Sequence, residues 1–119
     1  MQAATKVSQQ QLTGASGNPV ACLRFVGDIS SASKDAVVVT YQALDKATQK
    51  HILLDFIGVE YLNSSGIALV IQVLIEANKS GQTVAICGLT PHFTKVFTMV
   101  GITKYASLYS DEAAAIAAL

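Results

Sequence analysis

Short apolar runs alternate along this chain with segments in which apolar residues recur at helical spacing. The runs are rich in branched and aromatic residues and end at glycine or polar turns, which is typical of strands. The run from 51 to 56 does not alternate, so it suits a central parallel strand that is buried on both faces. This pattern predicts strands at 20–26, 51–56, 82–88 and 107–109.

The polar N-terminus alternates only weakly, and it predicts an edge strand within residues 1–12. A turn cluster from Gly14 to Pro19 separates this segment from the next strand. Because the turn is short, we expect the first two strands to pair antiparallel.

The first periodic segment combines valines, which favour strands, with a helical face of Val37, Tyr41, Leu44 and Thr48. Its length of about fourteen residues exceeds that of a usual strand and favours a helix.

The clearest helix begins at Asn63-Ser64-Ser65-Gly66 and ends before Gly81, a residue type preferred just after helices. Leu69 is predicted to point away from the apolar face, close to the direction of Glu76, and Val73 lies at the border of that face. The predicted core face consists of Ile67, Val70, Ile71, Leu74 and Asn78, opposite Gln72, Glu76 and Lys79.

Two more helices are predicted near the C-terminus. Thr90-Pro91 provides an N-cap followed by proline at the first helical position, and Gly101 ends this third helix. Ser110 is predicted to cap the last helix, with Asp111 and Glu112 in its first turn, where they suit the helix dipole. The apolar stripe of the third helix consists of Phe93, Val96, Phe97 and Val100.

Strands that alternate with helices predict an α/β fold with right-handed crossovers and a mostly parallel sheet, preceded by one antiparallel edge strand. The chain has 119 residues, of which 51% are apolar. This length is sufficient for one hydrophobic core, so we expect a single domain over 1–119.

Charge and composition exclude several classes of protein. Eight Lys and Arg balance eight Asp and Glu, which leaves no basic footprint for nucleic acid and no polybasic membrane patch. The apolar stretches are too short or too polar to span a membrane, and the N-terminus lacks a signal pattern. Cys22 and Cys87 lie far apart without metal-ligand spacing and predict buried, reduced thiols. We therefore expect a cytoplasmic protein without membrane insertion or direct nucleic-acid contact.

The sequence shows no arrangement typical of an enzyme. His51 begins a strand and His92 lies in the first turn of a helix, and neither has a partner at metal-ligand spacing. The sequence contains no nucleophile elbow and no phosphate-binding glycine loop. Asp28 and Asp55 suit the capping of loop amides. We expect no catalytic residue, no metal and no cofactor.

The loops after parallel strands meet at one edge of a sheet, so Asp28 and Ser30 should lie near Ser64. The motif Asn63-Ser64-Ser65-Gly66 admits two interpretations. Asn and Ser are preferred caps of helices. Alternatively, a serine exposed at a helix N-terminus can carry a phosphate, because free N–H groups and the helix dipole favour an anion there. Leu69 also admits two interpretations: it is an exposed anchor for a partner protein, or it packs beneath a loop. Val73, at the border of the apolar face, is the second candidate anchor.

Three motifs, in order along the chain, resemble those of the STAS domain in the anti-sigma-factor-antagonist family. Gly27-Asp28-Ile29 resembles the Gly-x-[Ile/Leu] signature after the second strand. Residues 53–56 with 61–67 resemble the central Leu-Asp…Asp-Ser-[Ser/Thr]-Gly-[Leu/Ile] motif, and 96–102 resemble the late [Val/Leu]-Phe-x-x-x-Gly-[Leu/Ile] signature. The resemblance covers the chain from about residue 20 to its end.

The resemblance implies an open βα superhelix with sequential strand order, and a mechanism of partner switching. In this family the unphosphorylated antagonist binds an anti-sigma factor that is also a serine kinase, which frees the sigma factor. The kinase then phosphorylates the antagonist and the complex dissociates. A metal-dependent serine phosphatase restores the unphosphorylated form.

By motif position the phosphoacceptor is Ser64, and Ser65 is the alternative. The family's usual Asp before the phosphoacceptor is Asn63 here, which preserves the cap but removes a carboxylate beside the serine. The alternative function is therefore an unphosphorylated STAS module that binds a small ligand or nucleotide, or serves as a scaffold in another signalling or transport assembly. The predicted neighbours of the site are Asp28, Ser30, Asn63 and Gly66.

Overall fold

The computed structural model describes residues 4–119, so the first three residues of the segment predicted as an edge strand lie outside the described residues. Within 4–119, no helix is both long and apolar enough to span a bilayer. The strands are β1 (Lys6–Thr13), β2 (Pro19–Val26), β3 (His51–Gly58), β4 (Thr83–Cys87) and β5 (Ala106–Tyr109). The helices are α1 (Lys34–Gln42), α2 (Ser64–Lys79), α3 (Pro91–Met99) and α4 (Glu112–Ala118), with short 3-10 turns at Ser31–Ser33 and Ile102–Lys104.

The five strands form one sheet in their sequence order, from β1 to β5. β1 runs antiparallel to β2, with Lys6 opposite Val26 and Thr13 opposite Pro19. The remaining neighbours pair in parallel, and each of those connections contains a helix. The predicted α/β fold, with its sequentially ordered sheet and antiparallel N-terminal edge, is confirmed.

The helices cover the two faces of the sheet unequally. α1, α2 and α3 pack on one face and enclose the main core together with alternate residues of the strands. In that core the Phe56 ring stacks on Phe25, with centroids 4.8 Å apart, and meets Phe97 edge-on at 6.0 Å. On the opposite face α4 packs through Ala115 onto a smaller cluster that includes Leu53. Strand side chains alternate between these two cores, as a sheet covered on both faces requires.

α1 has nine residues and is shorter than the predicted helix. The Leu44 amide donates to the Tyr41 carbonyl at 3.0 Å, which tightens the helix end. The Asp45 carboxylate then accepts from the Ala47 amide at 2.9 Å and begins a separate turn. Leu44 remains buried, but Thr48 is exposed, so its predicted place on the core face was wrong.

α2 has the predicted start and end, but its buried face is rotated from the predicted one. Leu69 and Val73 are 5% and 4% exposed, so the interpretation of these residues as exposed anchors was wrong and the alternative, that they pack in the core, holds. Ile67 and Ile71 are half-buried, and Asn78 is exposed. The prediction used only the large apolar residues and so missed this rotation, because the small residues Gly66 and Ala77 are also buried. The buried face consists of Gly66, Leu69, Val70, Val73, Leu74 and Ala77.

The C-terminal helices differ from prediction in detail. Thr90-Pro91 begins α3 as predicted, but Val100, at the end of its predicted stripe, is exposed. α4 is capped by Asp111 rather than Ser110, because the Asp111 carboxylate accepts from the Ala114 amide at 2.8 Å. A carboxylate at this place also benefits from the helix dipole, which favours aspartate over serine.

Candidate functional site

The loops after β2 and β3 are joined side by side at the carboxyl edge of the sheet. Ile29 and Leu62 form an isolated parallel bridge. The Ile29 amide donates to the Tyr61 carbonyl at 3.0 Å, and the Asn63 amide donates to the Ile29 carbonyl at 3.2 Å. The two loops thus continue the pairing of β2 with β3, and they bring the segment that contains Asp28 to the start of α2.

The start of α2 is built by a side-chain cap. The Asn63 side-chain oxygen accepts from the Gly66 amide at 2.8 Å, which satisfies one of the free amides in the first turn. Ser64 is the first residue of the helix, and the side chains of both Ser64 and Ser65 are exposed. An exposed hydroxyl at the N-terminus of a sixteen-residue helix is accessible from solvent and lies where an anion is favoured.

Position 66 requires glycine because there is no room for a side chain, and not because of its backbone conformation. A β-carbon at this position would lie closer than 3.0 Å to the Ile29 carbonyl oxygen. The absence of a side chain therefore lets α2 press against the loop after β2. This contact fixes Ser64 relative to that loop.

Two predicted neighbours of Ser64, Asp28 and Ser30, lie in the loop after β2. Ser30 is buried and structural, because its hydroxyl accepts from the Ala32 amide at 3.2 Å while its own amide donates to the Ser33 hydroxyl at 2.9 Å. The Asp28 carbonyl accepts from the Thr5 hydroxyl at 2.5 Å, which ties the residue before β1 to the loop. The structure brings the backbones of these residues to the edge that carries Ser64, but it uses Ser30 to shape the loop.

A shallow groove of about 220 Å³ lies beside the exposed serines, between the 3-10 turn and α2. Lys34, at the start of α1, lines one wall, and Ser65, Leu69 and Gln72 line the other. Leu69 thus contributes an apolar surface within the groove while remaining almost fully buried. Sequence periodicity could not reveal this groove, because its walls come from separate helices.

Exposed apolar side chains flank the same edge of the sheet. Ile57, near the end of β3, is 75% exposed, and Val26, at the end of the neighbouring β2, is also exposed. The exposed ring of Tyr61 meets Phe93 edge-on, with centroids 6.3 Å apart. Together with the groove, these side chains leave apolar surface exposed along the carboxyl edge of the sheet. The sequence analysis missed them because strand ends leave no periodic signal.

On the face covered by α4, ionic side chains surround a buried carboxylate. Asp55 is buried, its Oδ1 accepts from the Ile57 amide at 3.0 Å, and its Oδ2 lies 3.5 Å from the Arg24 Nε. Arg24 also pairs with Glu112 in the first turn of α4 and donates to Gln10 on β1. The predicted capping role of Asp55 is confirmed. Its arginine partner and the neighbouring glutamate were not predicted, because they are distant from Asp55 in the sequence.

The two cysteines are free and buried, as predicted. Burial raises the pKa of the Cys22 thiol to about 11 and that of the Cys87 thiol to about 12, because a thiolate would lose its hydration. Cys22 lies on β2 and Cys87 on β4, with β3 between them. Two strand spacings of about 4.8 Å exceed the reach of a disulfide, so these thiols cannot pair without backbone movement.

Neither histidine belongs to these sites. His51 begins β3 at the opposite edge of the sheet, where its Nδ1 is buried without a hydrogen-bond partner among residues 4–119. His92 is exposed in the first turn of α3, and its ring lies against Phe93 with centroids 4.9 Å apart.

Comparison with known proteins gives consistent results. A family model described as "Mlab, STAS domain" matches residues 13–109. An anti-sigma F factor antagonist of Paenibacillus polymyxa is 24% identical over 101 residues, which are 84% of this chain and 86% of that protein. An anti-sigma factor antagonist structure from Mycobacterium paratuberculosis has a TM-score of 0.71 at 17% identity, covering 89% of this chain and 86% of that one. The Bacillus cell fate determinant SpoIIAA in its phosphorylated form has a TM-score of 0.66 at 17% identity, covering 92% of this chain and 96% of that one.

The matched region runs from the end of β1 to the end of β5, and so it contains the whole parallel sheet with its three crossover helices. The structural neighbours share this fold at low sequence identity. The chain therefore belongs to the STAS domain family.

Proposed function

We propose that this protein is an anti-sigma factor antagonist whose partner binding is controlled by phosphorylation of Ser64. The observation that carries the proposal is the exposed Ser64 hydroxyl at the first position of α2, directly after the Asn63 cap. The Paenibacillus relative is named an anti-sigma F factor antagonist, and SpoIIAA, which has the same fold, occurs in a phosphorylated form. In the unphosphorylated state, the protein binds an anti-sigma factor with serine-kinase activity and thereby frees the sigma factor.

The covalent step transfers the γ-phosphoryl group of ATP to Ser64. The Ser64 hydroxyl gives up its proton and its oxygen forms the new O–P bond, while the bond to the bridging oxygen breaks and ADP leaves. A serine phosphatase reverses the step by transferring the phosphoryl group to water. Both catalysts are separate proteins, so this chain acts as substrate and binding partner rather than as an enzyme.

The fold can hold the phosphate. The amides of the first helical turn precede the first intrahelical hydrogen bond, and the helix dipole adds a partial positive charge at this end. Asn63 is neutral, so it holds the Gly66 amide without repelling an added phosphate on Ser64. Phosphorylation therefore changes the surface charge by about −2 while leaving α2 in place.

The phosphate that the fold tolerates should weaken the binding of a partner protein. Tyr61, three residues before Ser64, and the groove lined by Ser65 and Leu69 offer apolar contact surface beside Ser64. A partner that covers this surface must also cover Ser64. A phosphate dianion enclosed there loses its water, and this loss is costly unless the partner supplies a matched cation.

The test uses the serine-kinase anti-sigma factors encoded in the source genome, each incubated with this protein and Mg-ATP. Intact-mass measurement should show the mass of one phosphate group on the native protein and on Ser65→Ala, but not on Ser64→Ala. Ser64→Ala should bind the kinase constitutively, whereas Ser64→Asp should bind at least about a hundredfold more weakly. Full phosphorylation of Ser64→Ala, or equal binding of Ser64→Asp, would overturn the proposal.

Asn63 favours a second candidate function, that of a STAS module that binds its partners without phosphorylation in a signalling or transport assembly. The carboxylate that usually precedes the phosphoacceptor in the family is replaced by a neutral amide here. Protein isolated from its native cell would then carry no phosphate, and it would co-purify with other subunits of the assembly. Equal partner binding by Ser64→Ala and Ser64→Asp would favour this candidate over the switch.

A further inference from the structure

A cluster of soft and hard metal ligands lies on the α4 face of the sheet, separate from the Ser64 site. The Cys22 sulfur and the carboxylate oxygens of Asp55 and Glu112 all lie within 4.8 Å of one another. They come from β2, β3 and α4, three elements that are distant in sequence. Cys22 and Asp55 are buried, whereas Glu112 is partly exposed.

We propose that Cys22, Asp55 and Glu112 form a binding site for a thiophilic divalent cation of the Zn²⁺ class. One thiolate and two carboxylates are ligands that Zn²⁺ accepts, and a tetrahedral Zn²⁺ ion holds such ligand atoms about 3.5 Å apart. The cluster must therefore contract by about 1 Å around the ion. Glu112 can supply this movement because its side chain is 39% exposed in the first turn of a short helix.

Cys22 is placed so that it can act as a ligand as well as pack in the core. Its side chain is fully buried in the apolar cluster, yet its sulfur faces the two carboxylates. Cys87 lies opposite Asp55 in the pairing of β3 with β4, so a second thiol stands at the margin of the site. A thiol placed beside carboxylates in this way gains little from them while protonated, but gains strongly when a cation draws the groups together.

Arg24 provides the charge balance when no metal is bound. Its guanidinium pairs with Glu112 and lies 3.5 Å from Asp55, so it occupies the place of a cation between the two carboxylates. The Arg24 side chain is 33% exposed and can swing outward. A metal ion and the guanidinium would repel each other at this distance, so we infer that they compete for the same carboxylates.

An opening leads from solvent to the two carboxylates of the cluster. A cavity of about 280 Å³ is lined by Arg24, Asp55, Glu112 and Asp111, together with Ile57 and Gly88. The three carboxylates outnumber the single arginine and make this opening attractive to cations. Metal binding would join α4 to β2 and β3, which raises the apparent stability of the C-terminal end of the domain.

The test titrates the reduced full-length protein with Co²⁺, because a thiolate bound to Co²⁺ gives a charge-transfer absorption that carboxylates alone do not give. We expect saturable binding of one ion per chain with this absorption. Cys22→Ser should abolish the absorption, and Glu112→Gln should weaken binding at least about tenfold. Arg24→Gln should strengthen binding, because it removes the competing cation.

Asp111→Asn serves as the matched control, since Asp111 lines the opening but lies outside the ligand set. It should change the affinity less than about threefold, as expected for a charge that only attracts the ion. Zn²⁺ should also raise the melting temperature of the native protein but not that of Glu112→Gln, whose exposed position leaves the fold intact. The absence of a charge-transfer absorption at millimolar Co²⁺, or its persistence in Cys22→Ser, would overturn the proposal.

Discussion

The carbonyl oxygen of Ile29 lies against the α-carbon of Gly66, in the space that a β-carbon would need. Ile29 also pairs with Leu62 and accepts from the Asn63 amide, so the loop after β2 and the start of α2 form one rigid unit. Ser64 lies between these contacts in sequence, so they fix its position. The exposed serine is thus held on a rigid support rather than on a mobile loop.

Replacement of Gly66 by alanine should displace α2 or the loop, because neither backbone can yield without breaking the Ile29–Leu62 bridge. We expect Gly66→Ala to lower the free energy of unfolding by about 1–3 kcal/mol or more, as overpacked sites do. Chemical denaturation measures this loss. Ser65→Ala, an exposed neighbour in the same turn, is the control and should change stability by less than about 0.5 kcal/mol. A Gly66→Ala protein as stable as this control would show that the contact is not tight.

The Asn63 cap can be tested separately from the phosphoacceptor. Asn63→Ala should lower the free energy of unfolding by about 1 kcal/mol, because the Gly66 amide loses its acceptor. Asn63→Asp keeps an acceptor and adds a negative charge at the helix N-terminus, so it should be as stable as the native protein or more stable. Thermal and urea unfolding of both variants measure these effects. Equal losses in the two variants would contradict a capping role.

Leu69 should behave as a core residue that also lines the groove. Leu69→Ala should cost about 2–5 kcal/mol of unfolding free energy, and Leu69→Glu should cost more because it buries a charge. Ala68→Glu is the matched control, since Ala68 is exposed at the preceding position and lines the same groove. It should leave stability nearly unchanged while weakening partner binding. Wild-type stability in Leu69→Glu would show that this side chain is free to leave the core.

The buried thiols predict a loss of stability at alkaline pH. Below about pH 9 both thiols are protonated in the folded and unfolded states. Above it the unfolded chain releases protons that the folded chain retains up to about pH 11 at Cys22 and about pH 12 at Cys87. The free energy of unfolding should therefore fall by up to about 1.4 kcal/mol per pH unit for each thiol in this window.

Denaturation at pH 8, 9, 10 and 11 measures this slope. A double variant, Cys22→Ala with Cys87→Ala, should lose stability less steeply. Tyr41, whose pKa is also raised by burial, remains in both proteins and contributes equally to them. Identical slopes in the native protein and the double variant would contradict the raised thiol pKa values.

Local pattern predicted the elements well, because strand and helix signals depend on neighbouring residues. The turn at Gly14 to Pro19, the Asn63 cap and the Thr90-Pro91 start all lie where short-range hydrogen bonds and backbone restriction decide the structure. The predicted α1 extended beyond its actual end, because the Asp45 carboxylate forms a turn that the spacing of apolar residues does not indicate. The cap of α4 moved by one residue for a similar reason, because two good caps stand side by side in the sequence.

The sequence by itself determined the order of strands and helices, and it placed Ser64 at the start of a helix, because these depend on local hydrogen bonding and on the spacing of apolar residues. Only the tertiary structure decided which face of α2 is buried. Gly66, which has no side chain, lets α2 approach the loop after β2 closely, and Ala77 is buried on the same face, whereas the larger Ile67 and Ile71 are only half-buried. The assembly of Cys22, Asp55 and Glu112 likewise depends on strand register and on the docking of α4, since contacts between distant segments leave no periodic trace in the sequence.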